Sequence, residues 1–418
     1  MINLVLITES YPFLCAQEQT FLEPELEEWS KVCDRIYFLP RYLEGGTSNK
    51  IFGQTDKTLS KSLEHLWRSP KEKYGLLLKH FDWIEQLASL RVWKLKEISK
   101  VLSWYRSANV LCRFLESWLT DKVINREPTV FYSYWLNDAA YALALLKRKY
   151  PKVTVISRAH GSDIYEKTQD PPLFPFRSKT VSNLDGIATA SLHGANYLRA
   201  NYPGNDHTIW TSYLGVNNKT FEDGSLIKKD SQMLQVVSCS AICENKQVLR
   251  IANIMIELAK ALPENTIVWT HFGNGPQMKK LQKLVDGIPS NLTVDLKGYQ
   301  ENSTVLDFYR HQYVDFFINM SLSEGLPVSI MEAMSFGIPA VASDVGGTSE
   351  IVDANTGLLV LHDESDEKIV NNIVKEIADA QHWCSKRKNS RLKWCNIFNA
   401  SVNHARFVER IVEITKQS

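Results

Sequence analysis

The sequence predicts an α/β protein made of two doubly wound domains, each with a parallel sheet between layers of helices. Short apolar runs followed by helical patterns recur from the second residue onward, which is typical of β-α-β units. The alternation stops at a polar, turn-rich stretch, 215–230, and begins again at residue 234. A chain of 418 residues is long enough for two such domains.

The first domain is predicted over residues 1–215. Its helices are expected in FLEPELEEWSKV and NDAAYALALLKRKY. A helical insertion over about 57–125 interrupts the alternation, because residues 57–106 show no strand signal and place Leu and Trp at three- and four-residue spacing. The strands are expected in INLVLIT (2–8), RIYFLP (35–40), TVFYSY (129–134) and KVTVISRAH (152–160).

The second domain is predicted over residues 216–395, and an amphipathic helical pattern fills 396–418. Helices are expected in QVLRIANIMIELAKAL, PQMKKLQKLV and SIMEAMSFG. The strands are expected in LQVVSCS (234–240), NTIVWTHFG (265–273), NLTVDLKG (291–298), YVDFFINMS (313–321), PAVASD (339–344) and TGLLVL (356–361).

Composition excludes several classes of protein. The formal net charge of +1 argues against a nucleic-acid binder, because no global field is available. The seven scattered cysteines do not resemble a disulfide framework and suit a reducing compartment, so a cytoplasmic protein is expected. The sequence contains no Asp-x-Asp pair, which favours a site without a divalent metal cofactor.

Residues 57–106 are unusually basic and rich in tryptophan. Eleven Lys and Arg residues against five acidic ones give this stretch a net charge of +6, and it holds four of the eleven Trp residues. One interpretation is a helical insertion that packs its Trp and Leu stripe onto the first domain. The other is a peripheral face for an anionic membrane, because Trp favours the headgroup region and basic residues favour anionic lipid.

The strongest local pattern lies in SLSEGLPVSIMEAMSFGIPAVASDVGGTSEIV (321–352). Glu324 follows a strand, and a helix is predicted to begin near Pro327 or Val328. Such a helix start presents backbone N–H groups and a positive dipole end to an anion. Glu332 lies within the same helix, and a parallel sheet places these loops at its carboxyl edge, where ligands bind.

This pattern closely resembles the E-x7-E region of the family-4 retaining glycosyltransferases, with Glu324 and Glu332 as the two acids. The resemblance implies the GT-B fold, in which two Rossmann-like domains face a cleft. It also implies an acceptor domain at the N-terminus, a nucleotide-sugar domain after it, and a C-terminal helix over 396–418 that crosses back to the first domain. The remaining matches in this region are Ala333, Gly337, Pro339, Gly346, Gly347, Glu350 and Gly357.

Four other segments resemble the same family in order and spacing. The bacterial branch that builds capsule, O-antigen or exopolysaccharide repeats is similar in YPF, FLEPEL, YSYWLNDAA and SRAHGSDIY. The matching segments are the H-G-x-D loop with His160 and Asp163, the phosphate-binding Lys246, the G-x-G-P turn with Gly273 and Gly275, and the base-binding segment with Gly298 and Tyr299.

The resemblance implies transfer of a sugar, with retained configuration, from a UDP-sugar or GDP-sugar to a glycan acceptor. Lys246 and the N–H groups at 325–328 would stabilise the departing diphosphate without a metal. Glu332 would bind the ribose, Glu324 the sugar, and His160 would line the reaction centre. The further substrate-binding residues predicted are Gln17, Arg158, Asp163, Ser240, Gly273, Gly298, Tyr299, Gly325, Leu326, Pro327 and Val328.

Two departures from the family pattern stand out. Ala241 occupies the position of a usual arginine, so one diphosphate partner is missing or is replaced by Ser238 or Ser240. The first βα loop also lacks the usual Gly-Gly, and Gln17 or Gln19 stands near it. Arg158 is open to two interpretations, a strand residue facing the site or a core-edge ion pair.

Two other functions stay in view. A sugar-nucleotide 2-epimerase shares the two-domain architecture but needs no acceptor, and the E-x7-E region argues against it. A non-catalytic nucleotide-sugar-binding subunit would fit the missing arginine, whereas His160, Lys246, Glu324 and Glu332 argue against it. A lipid-linked acceptor would suit the basic, Trp-rich stretch 57–106.

Overall fold

The computed structural model describes residues 2–13, 16–42, 82–88, 94–119, 128–218, 229 and 233–417. The rest of the predicted 57–125 insertion lies outside these ranges, as do Trp67 and Trp93. The chain divides into two compact units. The first consists of Met1–Leu214 with Ala400–Ser418, and the second of Gly215–Asn399.

The first unit is built on a six-stranded parallel sheet in the order β2-β1-β3-β4-β5-β6. Its first four strands correspond to the four predicted runs, and β2 begins at Cys33, two residues before its predicted start. The last two, of four and three residues, were not predicted. The strands are β1 (Ile2–Thr8), β2 (Cys33–Pro40), β3 (Thr129–Ser133), β4 (Thr154–Ala159), β5 (Gly186–Thr189) and β6 (Ile209–Thr211).

Helices surround this sheet, and buried aliphatic and aromatic side chains fill the space between them. Asn137 caps one helix by accepting a hydrogen bond from the Ala139 N–H, as expected for an Asn before a helical pattern. The helices are α1 (Ala16–Trp29), α2 (Asp82–Ala88), α3 (Leu95–Leu119), α4 (Asp138–Lys149), α5 (Gly161–Ile164), α6 (Arg177–Val181) and α7 (Leu192–Asn201).

The second unit has its own six-stranded parallel sheet, in the order β12-β11-β10-β7-β8-β9. Every strand falls within a predicted run, and the central strands are buried on both faces, as parallel sheets require. The strands are β7 (Leu234–Cys239), β8 (Ile267–Phe272), β9 (Leu292–Gly298), β10 (Phe316–Asn319), β11 (Ala340–Ser343) and β12 (Gly357–Val360).

The helices of the second unit alternate with its strands, and the last helix of the chain returns to the first unit. They are α8 (Val248–Ala261), α9 (Met278–Leu284), α10 (Asn302–His311), α11 (Val328–Ser335), α12 (Thr348–Ile351), α13 (Asp366–Ala378), α14 (Ala380–Lys393) and, in the first unit, α15 (Ala400–Gln417). The predicted fold class, two Rossmann-like parallel-sheet domains, is confirmed.

Each sheet has one switch point, where the chain changes the side on which it adds strands. In the first unit the switch lies between β1 and β3, and in the second between β7 and β10. Loops leave such a point in opposite directions and open a crevice at the carboxyl ends of the strands, where ligands of doubly wound sheets bind. The topology therefore gives each unit one favoured place for a ligand.

The described part of the Trp-rich insertion packs onto the first unit. The α3 helix lies against α4 and buries one side, with Val101, Tyr105 and Ala108 among its buried residues. Trp83 and Trp104 are partly buried against the same core. None of the described helices, including the 25-residue α3, is long and apolar enough to span a membrane.

Candidate functional site

The switch point of the second unit brings together the two predicted groups Lys246 and Glu324. Lys246 follows β7 and Glu324 follows β10, and the Lys246 Nζ lies 2.7 Å from the Glu324 Oε1. Asn319, the last residue of β10, places its Nδ2 3.3 Å from the same oxygen. Because β7 and β10 are neighbouring strands, Lys246 and Glu324 form an ion pair at the sheet edge although they are 78 residues apart in the sequence.

Two adjacent glycines fix the shape of the Glu324 loop. Gly346 has a φ of +57°, and a Cβ there would lie 1.8 Å from the Glu324 carbonyl oxygen. A Cβ on Gly347 would lie 2.4 Å from the carbonyl oxygen of Gly325, which accepts the Gly347 N–H at 2.8 Å. Only glycine allows this close packing of backbone on backbone.

The segment after Glu324 leads directly into α11. Pro327 is the residue before the helix, and Val328 is its first residue. Gly325, Leu326 and Val328 carry backbone N–H groups at the helix start. Proline has no N–H, so Pro327 adds no donor to this group.

Glu332 lies one turn into α11 and is largely withdrawn from water. Burial raises the pKa of its carboxyl to about 7, although a hydrogen bond from Asn302 opposes that rise. The Asn302 Nδ2 lies 2.6 Å from the Glu332 Oε1. A carboxylate near neutral pH with one amide donor is a strong acceptor for hydroxyl groups.

The loop ends of β7, β8 and β9 form the adjoining part of this edge. Gly273 has a φ of +143°, and a Cβ there would lie 1.9 Å from the Ser240 carbonyl oxygen, so glycine is required. The Gly273 N–H donates to the Gly298 carbonyl oxygen at 2.8 Å. Tyr299 is 71% exposed, which leaves its ring accessible to a ligand.

Ser238 and Ser240, the two serines that could replace the arginine missing at Ala241, differ in exposure. Ser238 is buried in the interior, where its hydroxyl lies 2.8 Å from the His271 Nδ1 and accepts the Trp269 indole N–H at 2.9 Å. Ser238 is therefore not available to a diphosphate, and that alternative was wrong. Ser240, beyond the end of β7, is the serine that is partly exposed.

In the first unit, His160 follows β4 and its ring is held by two aromatic side chains. The ring centres of Tyr134 and Trp135 lie 4.9 Å and 4.6 Å from that of His160. Both imidazole nitrogens are buried without a hydrogen-bond partner among the described residues. The Nδ1 is 3.8 Å from the Asp163 Oδ2, too far for a hydrogen bond.

Asp163 holds the His160 loop in place. One carboxylate oxygen accepts the His160 N–H at 2.5 Å, and the other accepts the Leu136 N–H at 2.8 Å. Both oxygens therefore tie the loop after β4 to the loop after β3. Asp163 also lines a cavity at the carboxyl edge of the first sheet, and its predicted contact with substrate stays a prediction.

The structure corrects the prediction for Arg158. Its side chain is completely buried, and its Nη2 lies 2.8 Å from the equally buried Glu25 Oε2. It also donates to the Ser212 carbonyl oxygen at 2.9 Å. Of the two interpretations, the ion pair in the core is the one observed, because the side chain points into the packing of α1. The Gln17 side chain lies outside the described residues.

Sequence reasoning missed a polar cluster at the first unit's switch point. Asn137 donates to the Glu9 Oε1 at 2.7 Å, and Arg41 pairs with Asp138 while its Nε lies 3.6 Å from the Glu9 Oε2. Burial raises the pKa of Glu9. These residues follow β1, β2 and β3, and the contacts that join them span 97 and 128 positions, so no local pattern marks them.

The same cluster lines a cavity of about 1010 Å³ at the carboxyl edge of the first sheet. Its opposite wall comes from α3 and from the segment after α5, including Lys100, Trp104 and Phe174. Sequence reasoning also missed Glu18, which holds the loop after β1. Its carboxylate accepts the backbone N–H groups of Glu9, Ser10 and Tyr11 and the indole N–H of Trp135.

Within the described ranges, no three His, Cys, Asp or Glu side chains are grouped so that they could hold a metal ion. Among the predicted site residues, the charged groups at the second unit's edge are Lys246, Glu324 and Glu332.

Comparison with known proteins agrees with this geometry. Residues 234–379 match the glycosyl transferases group 1 family, and this stretch contains Lys246, Glu324 and Glu332. These residues therefore form a group 1 glycosyltransferase domain, and the resemblance found in the sequence is confirmed. The described residues form two Rossmann-like parallel-sheet domains, the fold of the GT-B glycosyltransferases.

Individual proteins extend the likeness. The chain is 26% identical over 224 residues to the sulfoquinovosyl transferase SQD2 of Arabidopsis thaliana, a match that covers 47% of this chain and 39% of that protein. The fold of the present chain is similar to that of the lipopolysaccharide outer core galactosyltransferase WaaB. The TM-score is 0.65 at 14% identity, over 97% of this chain and 99% of the WaaB chain. The Anabaena protein HepE in complex with UDP and glucose gives a TM-score of 0.60 at 11% identity, over 98% and 99% of the two chains.

Proposed function

We propose that the protein is a retaining glycosyltransferase that moves a sugar from a UDP-sugar to a glycan acceptor in bacterial surface polysaccharide biosynthesis. The observation that carries this proposal is the meeting of Lys246 and Glu324 at the second unit's switch point, with Glu332 on the helix that follows. A doubly wound sheet binds its ligand at that place. The group 1 domain covers the same residues.

The residues suit the charge that develops in such a transfer. The bond from the anomeric carbon to the diphosphate breaks, and a bond from that carbon to an acceptor hydroxyl forms, while the hydroxyl proton leaves with the diphosphate. Lys246 and the N-terminal end of α11 would stabilise the growing negative charge. Glu332 would accept hydrogen bonds from the ribose, and Glu324 would bind the sugar.

The choice of UDP over GDP rests on the fold comparison. HepE, which shares the fold, was solved with UDP and glucose. The segment expected to face the base, around Gly298 and Tyr299, would read it largely through backbone groups, so its side chains favour neither nucleotide.

The acceptor is proposed to bind the first unit. The cavity at its switch point combines carboxylate, amide and guanidinium groups from Glu9, Asn137 and Arg41 with the aromatic rings of Trp104 and Phe174. Polar groups beside aromatic faces suit a carbohydrate, which has hydroxyls on its edge and C–H groups on its faces. His160, with both ring nitrogens unpartnered among the described residues, would complete the acceptor side.

A lipid-linked acceptor is proposed because α3 begins with an apolar residue between two basic ones. Leu95 is 86% exposed, and Lys94 and Lys96 on either side of it are exposed as well. Such a group suits the headgroup region of an anionic membrane. The inward packing of Trp83 and Trp104 supports the structural interpretation for those two residues.

Donor binding tests the proposal most simply. A thermal-shift panel of UDP, GDP and their sugars should show stabilisation by UDP and UDP-sugars, since a ligand at about 100 times its Kd adds roughly 2.7 kcal/mol. Lys246→Ala should lose most of that shift, whereas Lys260→Ala, on the exposed end of α8, should keep it. Equal shifts in the two variants, or none in the parent protein, would count against the proposed site.

A further inference from the structure

The ion pair between Lys246 and Glu324 presents a conflict for the proposed function. In the structure each group has the other as its partner at 2.7 Å. The side chains are 28% and 10% exposed, so the pair is only partly shielded from water. A diphosphate that reaches Lys246 must therefore replace a carboxylate that already occupies the cation.

The diphosphate cannot simply join the pair. A phosphate oxygen within hydrogen-bond reach of the Lys246 Nζ would lie within a few ångströms of the Glu324 carboxylate. Two negative charges at about 4 Å repel each other by about 1 kcal/mol even in bulk water, and by more at a partly buried edge. Glu324 also has Asn319 as a second neighbour, which holds the carboxylate near Lys246.

The sugar of the donor changes this balance. Its hydroxyl groups would donate hydrogen bonds to Glu324 and so provide the carboxylate with new partners when the diphosphate occupies Lys246. The nucleoside diphosphate that remains after transfer has lost this sugar, and with it the hydroxyl groups that would bind Glu324. For the product, the cost of separating Glu324 from Lys246 is therefore not recovered.

We infer that Glu324 is a specificity-determining residue that makes the site favour the sugar-bearing donor over the nucleoside diphosphate product, by competing with the diphosphate for Lys246. The inference rests on the proposed function, in which Lys246 binds the diphosphate and Glu324 binds the sugar. It adds a competition between Glu324 and the diphosphate for Lys246. After transfer, the Glu324 carboxylate returns to Lys246 and promotes release of the product.

Calorimetric titration of UDP into the full-length protein and two variants tests this inference. Glu324→Gln keeps the size of the side chain and one acceptor oxygen but removes its charge. Glu244→Gln is the matched control, because Glu244 is an exposed acid two residues from Lys246 whose side chain does not contact it in the structure. Unfolding temperatures without ligand show that all three proteins are folded.

We expect Glu324→Gln to bind UDP about 3- to 10-fold more tightly than the parent protein, the range that a partly exposed ion pair permits. Affinity for UDP-glucose, UDP-galactose or UDP-N-acetylglucosamine should increase less, so preference for donor over UDP falls. Equal or weaker UDP binding by Glu324→Gln would overturn the inference, as would an equal gain in Glu244→Gln. Absence of UDP binding in all three proteins would contradict the proposed function itself, and the inference with it.

Discussion

Burial brings the pKa of one carboxyl group of the second unit, that of Glu332, close to neutral pH. Glu332 sits in α11 with Asn302 as its hydrogen-bond donor, and its pKa is raised to about 7. The nearby Cys239 and Tyr309 stay neutral in this range, because burial raises the pKa of Cys239 to about 12 and holds the pKa of Tyr309 well above its usual value. Glu332 is therefore the group at this position that changes charge near pH 7.

Affinity for UDP should therefore fall as the pH falls through about 7, because protonation removes the carboxylate that accepts the ribose hydroxyls. Titration of UDP at several pH values checks this. Glu332→Gln is the control, because the ionisation of UDP contributes equally to both titrations. UDP binding by this variant should depend less on pH than binding by the parent protein. Asn302→Leu should move the midpoint to higher pH, because the Asn302 hydrogen bond favours the ionised form. Identical pH profiles for all three proteins would rule out this role for Glu332.

Single residues also show where sequence reasoning succeeds and where it fails. Glu324 and Glu332 were predictable because one loop and one helix carry them at a fixed spacing. Arg158 was ambiguous because a strand buried on both faces has no period to show which way a side chain points. The pairing of Arg41 with Asp138 was not predictable at all, since it joins positions 97 residues apart.

At the scale of elements, α15 is bound to the first unit by a buried polar and aromatic contact. Phe407 lies against Trp29 and Tyr132, with ring centres 6.2 Å and 5.6 Å away, and the Arg158 guanidinium lies 4.2 Å from its ring centre. His404 on the same helix lies 3.7 Å from Glu25. The arginine predicted to bind substrate thus helps to hold the C-terminal helix.

Phe407→Ala should lower the free energy of unfolding of the first unit by about 3–5 kcal/mol, the usual cost of truncating a buried Phe. Glu409→Ala, an exposed position on the same helix, should change it by about 0.5 kcal/mol or less. Denaturant unfolding followed by Trp fluorescence compares the two variants. Similar midpoints for both would show that α15 does not stabilise this unit.

Other elements differed in how clearly the sequence announced them. The long amphipathic helices and the strands that lie within apolar runs of six or more residues repeat their pattern often enough to be predicted. The strands Gly186–Thr189 and Ile209–Thr211 hold four and three residues, and tertiary pairing with β4 and with each other makes them strands. Local sequence could not show that pairing.

On the scale of the whole molecule, the basic surface at the start of α3 makes the account testable on membranes. Lys94→Glu with Lys96→Glu should weaken co-sedimentation with anionic vesicles, because about 1 kcal/mol is lost for each basic residue near the lipid. The control variant Lys279→Glu with Lys280→Glu changes two exposed lysines of α9 by the same charge. Equal binding to neutral and anionic vesicles, or an equal loss in both variants, would exclude this membrane surface.

The central claim is that the protein transfers a sugar to an acceptor. The most direct test incubates it with UDP-glucose, UDP-galactose or UDP-N-acetylglucosamine and a lipid-linked glycan fraction from bacterial membranes, with EDTA present, and follows acceptor and donor by mass spectrometry and NMR. The account predicts an acceptor heavier by one sugar in the donor's anomeric configuration, and no product with Lys246→Ala. Conversion of the UDP-sugar without acceptor, donor binding without turnover, or activity that EDTA removes and Mn²⁺ restores would contradict it.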